Sequence, residues 1–157
     1  MSIILFLREI KMIKMLASLL LFVAICLPLG AENLLGLEFG SSKKTADDVL
    51  TEKHYSQWSD YDDILVYIPA GNNVVLNVAL GFTSQGKLEG WVIKLLGQDD
   101  FNVEEVTSAA LKDLHGDEYA YDADTGEYYW DLGNKHQVTA YWDQEGDIFF
   151  VKYTTRR

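Results

Sequence analysis

One cysteine, Cys26, is all the thiol chemistry that the 157 residues contain, and it lies in an apolar stretch near the start. A folded domain beyond that stretch has no disulfide, no thiolate metal site and no cysteine nucleophile. Cations are scarce too, with 13 Lys and Arg against 24 Asp and Glu and a formal charge of −11. That balance argues against nucleic acid or anionic lipid as a partner, because both would be repelled. It suits a basic protein partner, which the sequence does not identify. Long apolar runs are missing as well: the stretch from Met15 to Leu29 falls short of the ~20 residues that a membrane span needs.

Catalytic signatures are absent. There is no G-x-S-x-G, and the serines fall at helix caps and turns, where they already have structural work. The three histidines, His54, His115 and His136, show no H-x-x-x-H or H-E-x-x-H spacing, which argues against zinc. Asp60, Asp62 and Asp63 beside Trp58 and Tyr61 imitate a sugar-cleaving cleft, with rings to stack a sugar and acids for proton transfer. In so acidic a chain such neighbours arise by chance and form solvated loops. The stretch YDADTGEYYWDLG, Tyr121 to Gly133, raises the question of calcium. Counted from Asp122, an EF-hand loop needs glycine at the sixth position and glutamate at the twelfth, whereas Gly126 falls at the fifth and Gly133 at the twelfth. That register fails. A looser site on Asp122, Asp124 and Glu127 stays open beside the alternative of a polar hairpin turn. No enzymatic activity, cofactor or metal is expected.

The first 31 residues differ from the rest. Arg8, Lys11 and Lys14 precede the apolar run MLASLLLFVAICLPLG, which ends in the small residues Gly30 and Ala31. Basic end, apolar stretch and small-residue exit are those of a secretory signal peptide, with the mature chain starting near Glu32. Three bases and one acid leave with it, so 10 Lys and Arg remain against 23 Asp and Glu. An exported chain without disulfides fits a bacterial periplasm or secretion from such a cell. Acylation of Cys26 is the alternative, but bulky Ile25 stands where a lipoprotein signal wants a small residue.

Two helices and six strands are expected after residue 31. SSKKTADDVL opens the first helix, with Ser41, Ser42 or Thr45 as cap and Ala46, Val49 and Leu50 on one face. The second has Asn102 as cap, Glu105 answering it, Phe101 stapled onto Val106, and Gly116 as stop behind His115. Strands read at ILVYIP, VVLNVALGF, KLEGWVIKLL, EYYWDL, HQVTAYW and DIFFVKYTT, with Val74, Leu76, Val78, Leu80 and Phe82 alternating onto one face. Their connections are short enough for antiparallel meanders only. A shift of about 60 carries Val78, Phe82, Gly86 and Leu88 onto Val138, Trp142, Gly146 and Ile148, and one step more carries Ser41 onto Asn102. The sequence therefore predicts an α+β domain, residues 32–157, made of two tandem helix-plus-three-strand units at about 34–97 and 98–157, with both helices on one face of an antiparallel sheet.

GLEFGSSKKTADDVL, read as a strand ending in Phe-Gly before a capped helix, and FTSQGKLEGWVIKL after it look like the units of small bacterial envelope proteins. The tandem arrangement resembles the beta-lactamase-inhibitor-protein-like fold, whose single-unit relatives include outer-membrane assembly lipoproteins of the SmpA type. The chain departs from the inhibitor in lacking its cysteines and in having a shorter unit, and no functional residue is carried over.

Aromatics point to function more directly than any motif does. In the second half Tyr128 and Trp130 face away from Tyr129, Trp142 from Tyr141, and Phe149 and Tyr153 from Phe150. With helices on one face, the other stays open, and Tyr and Trp among acids suit a recognition surface. The expectation is an exported, non-catalytic binding or inhibitor-type protein. Tyr128, Trp130, Tyr141 and Trp142 are its candidate contact residues, half of them facing outward, with Asp122 and Asp124 at the rim. A structural factor of the cell envelope, or a carboxylate-based hydrolase, is the alternative.

Overall fold

A computed structural model describes residues 33–71, 74–98 and 102–156. The signal-peptide reading of 1–31, Cys26 and the Phe101 staple lie outside the described residues. Helix α1 (Lys43–Glu52) precedes strands β1 (Tyr55–Tyr61), β2 (Ile64–Pro69), β3 (Val75–Phe82) and β4 (Leu88–Leu96). Helix α2 (Val103–His115) precedes β5 (Ala120–Asp122), β6 (Glu127–Gly133), β7 (His136–Trp142) and β8 (Ile148–Thr155). All eight strands form one antiparallel sheet in the order β1-β2-β3-β4-β8-β7-β6-β5.

This corrects the expectation of two helix-plus-three-strand units: the protein is one eight-stranded sheet, and each helix is followed by four strands. The missed strands have a physical reason. β1, YSQWSDY, is an edge strand with only Tyr55 buried, so it carries no apolar alternation, and β5 has three residues. The segment GLEFG also forms no strand. It crosses the sheet as a loop, held by Asn33, whose side-chain oxygen accepts from the Leu35 and Leu37 amides, both at 3.1 Å.

Both helices start where side chains satisfy their free amides. Ser42 accepts from Thr45 N, and the Asn102 side-chain oxygen from Glu105 N while its side-chain Nδ2 donates to Glu105 Oε2 at 3.2 Å. Residues 34–39 and the two helices lie on the same sheet face. The core there holds Leu34, Leu37 and Leu50 against Tyr67, Trp91, Ile93, Val138, Val151 and Tyr153. In β3 a bulge between Val75 and Asn77 buries Val75 and turns Leu76 outward, so the alternation expected from Leu76 fails at that point. The pairs Val78↔Ile93, Leu80↔Trp91 and Gly81↔Gly90 recur 60 positions on (78 to 138, 93 to 153) as Val138↔Tyr153, Ala140↔Val151 and Tyr141↔Phe150. The caps Ser42 and Asn102 stand at that same offset, which removes the one-step mismatch between helices and strands.

Tyr153 joins the layers. Its ring stacks on Trp91 at 4.6 Å, and its hydroxyl accepts from Leu34 N and lies 3.1 Å from His115 Nε2. Burial pulls the His115 imidazole down from 6.5 to about 4. Between those pH values the unfolded chain binds a proton that the folded chain refuses, so stability falls as pH drops through that window. Given partial exposure, a loss of roughly 2 kcal/mol by pH 4 is expected. Urea unfolding at pH 7 and pH 4 tests it: His115→Gln should show the smaller decline, and equal declines would remove His115 as the cause.

Candidate functional site

The face opposite the helices is built by the alternate residues of every strand. From β1 to β8 it presents Tyr61, then Ile64, Val66 and Ile68, then Asn77, Ala79 and Gly81, then Gly90, Val92 and Lys94, then Phe150, Lys152 and Thr154. β7 and β6 add Gln137, Thr139, Tyr141, Tyr129 and Asp131. No described element packs on this face. Tyr61, Ile64 and Ile68 are 70%, 49% and 41% exposed. Side chains of that size exposed side by side form a patch and are not scattered surface apolar residues.

Toward one end of the central strands lies a hollow of about 490 Å³ lined by Ile64, Gly81, Gly90, Val92, Lys152 and Thr154 among others. Its floor is the directly paired Gly81 and Gly90, where two missing side chains leave the backbone bare. Gly90 has a packing reason to be glycine, since a Cβ there would sit 2.5 Å from the Tyr153 carbonyl oxygen. Gly81 has no such reason, because a Cβ would meet only the Gly90 oxygen at 3.7 Å, an ordinary contact. Sixty positions on, the same pair is Tyr141 and Phe150, whose rings stack at 5.3 Å and 9°. Lys94 Nζ lies 5.6 Å from the centre of the Phe150 ring. Burial raises the Tyr141 phenol above its ordinary value, with Glu127 adding to it.

The expected contact residues divide unevenly. Tyr141 is on the open face. Tyr128, Trp130 and Trp142 are on the helix-covered face, so one of the four, and not half, faces outward. Trp130 is 1% exposed and its indole donates to the Gly116 carbonyl at 3.2 Å. Tyr128 and Trp142 both donate to Glu104 of α2, at 2.9 and 2.8 Å. Burial, then the Glu104 hydrogen bond, pushes the Tyr128 phenol up to about 12. Tyr67 holds α1 in a similar way, donating to Asp47 at 2.8 Å, and burial likewise raises its pKa.

The acids of the turn between β5 and β6 are engaged locally. Asp122 Oδ1 accepts from the Asp124 and Thr125 amides and the Asp122 carbonyl from Gly126 N. Gly126 has φ +72°, a conformation for which glycine is suited. Asp124 is exposed, and Glu127 accepts from the Tyr129 hydroxyl. Among the described residues no three His, Cys, Asp or Glu converge to hold a metal, and no helix is long and apolar enough to cross a membrane. Asp60 lies on the edge strand and Asp62 and Asp63 in the following turn, where Lys43 Nζ donates to the Asp62 carbonyl at 2.7 Å and lies 4.0 Å from Asp63.

Sequence reasoning missed Ile64, Ile68, Gly81, Gly90, Lys94 and Lys152 as members of one surface. The available signal was a glycine inside each of two strands, VVLNVALGF and KLEGWVIKLL, which marks a bulge or a close backbone approach. Comparison of the chain with protein-family models, curated proteins and solved structures found no match.

Proposed function

We propose that this is an exported, non-catalytic recognition protein that engages a protein partner through the open face of its sheet. The observation that carries the reading is the broad face bearing exposed Tyr61, Ile64 and Ile68 with no described element upon it. Burying such a patch on a partner would release water from apolar surface, which drives most association. The hollow has one carboxylate in its lining, Glu89, and no histidine, which favours binding over acid–base chemistry. Export is supported by the charge and apolar pattern of residues 1–31. The common offset of caps and strand pairs favours duplication of one helix-plus-four-strand unit. Acids in the hairpin turns, Asp62 and Asp63, Asp124, and Asp143 to Asp147, favour approach by a basic surface.

Envelope extract of the producing cell, passed over immobilised protein, tests this. Ile64→Asp with Ile68→Asp should release whatever the unmodified chain retains, and thermal unfolding of the two should differ by no more than a few degrees because both sites are exposed. Retention of the same proteins by both would overturn the reading.

A further inference from the structure

Resting on that reading, the geometry points to the chemistry of the partner: a polypeptide that presents an aromatic side chain beside a carboxylate, the ring seated on Gly81 and Gly90 and the carboxylate held by Lys152 and Lys94.

The ring follows from the comparison of equivalent positions. Where the second half of the sheet carries stacked Tyr141 and Phe150, the first carries two glycines and a hollow of about 490 Å³. Glycine in a central strand weakens it and leaves a gap that an aromatic side chain covers well. Within the described residues no ring covers this one. Gly90 is demanded by the Tyr153 carbonyl, but Gly81 is not, so its lack of a side chain serves the space above it and not the packing below.

The carboxylate follows from charge. On the open face of the central strands β3, β4, β7 and β8 stand two cations, Lys94 and Lys152, in a chain with 24 acids and 13 bases, while the one acid of those strands at the hollow, Glu89, lies at the end of β4 away from Lys94. They are near neighbours, since Lys94 pairs with Phe150 and Lys152 with Val92. Among the described residues neither forms an ion pair. Two like charges so close together repel one another, and an acid placed between them relieves that repulsion and supplies charge-assisted hydrogen bonds. Lys152 lines the hollow itself, so ring and acid must be close together on the partner. A small ligand would sit in a site burying most of its surface, whereas this hollow opens onto a broad face, which suits a side chain projecting from a larger partner.

Selection from a displayed library of random peptides against the full mature chain tests the inference. Peptides carrying Trp, Tyr or Phe within two positions of Asp or Glu are expected to be enriched. As free peptides they should bind Gly81→Leu about tenfold or more weakly, the equivalent of about 1.4 kcal/mol. The Lys94→Ala, Lys152→Ala double variant should lose a similar factor. Gly81→Leu is a suitable plug because the added Cβ has room and leucine in a strand costs less chain entropy than glycine, so unfolding by urea should show no loss of stability. Enriched peptides that lack acids, yet are lost with Ile64→Asp and Ile68→Asp, would overturn this inference and leave the binding face standing. Peptides insensitive to all of these substitutions, or no enrichment, would remove both. Sedimentation of the unmodified chain, but not of Gly81→Leu, with phosphatidylglycerol vesicles would reassign the site to lipid and overturn the inference.

Discussion

Trp130→Ala is expected to lower the free energy of unfolding by about 3–5 kcal/mol, the range for deleting a large buried aromatic side chain. The side chain is 1% exposed and packs beside Tyr119 and Tyr128, with ring centres 5.3 and 6.1 Å away. Its indole also satisfies the Gly116 carbonyl at the end of α2. Alanine would leave a cavity and an orphaned carbonyl together, and both terms act in the same direction. Tyr141→Ala, on the opposite face of the neighbouring strand, removes a stacked ring from the surface and should cost only about 1 kcal/mol. Urea unfolding of both variants makes the comparison. A Trp130→Ala loss below about 1.5 kcal/mol would place the side chain outside the core, and a Tyr141→Ala loss as large as that of Trp130→Ala would mean that the open face is covered.

That contrast shows what could be read from the sequence. Period-two alternation separates Trp130 from Tyr129, Trp142 from Tyr141 and Phe149 from Phe150, and the pairing register keeps each of those separations. Alternation cannot say which of two apolar faces a helix will cover, because both carry aromatics. That choice is fixed by contacts distant in sequence: Asp47 with Tyr67, and Glu104 with Tyr128 and Trp142. The helix caps were legible because capping is local chemistry within three residues. The edge strand β1 was not, since a strand with one buried residue in seven looks like a polar loop. The hollow was equally hidden. It exists only because Gly81 and Gly90 fall directly opposite one another, and a bulge between Gly81 and Phe82 displaces the next pair, so hairpin length alone does not give the register.

Glu104→Ala should detach one end of α2 from the sheet and destabilise the protein by about 2–3 kcal/mol, since two donors lose a charged acceptor. The Tyr128 hydroxyl and the Trp142 indole converge on its two carboxylate oxygens from neighbouring strands whose order is β7-β6. In the first turn of α2 the same carboxylate faces the positive end of the helix dipole, which adds a few tenths of a kcal/mol. Glu104→Gln keeps one acceptor oxygen and should lose about half as much. A cycle pairing Glu104→Ala with Tyr128→Phe separates the contact from the loss of packing: the two substitutions remove the same hydrogen bond, so their costs should fall short of additivity by about 1 kcal/mol. Additive costs would mean that the carboxylate and the phenol do not meet in solution. Trp142 would then be the contact that docks the helix, and Trp142→Phe combined with Glu104→Ala should show the missing coupling. If neither pair couples, α2 is held by Val103 and Leu111 in the apolar core, and Glu104 has no part in choosing the face that the helix covers.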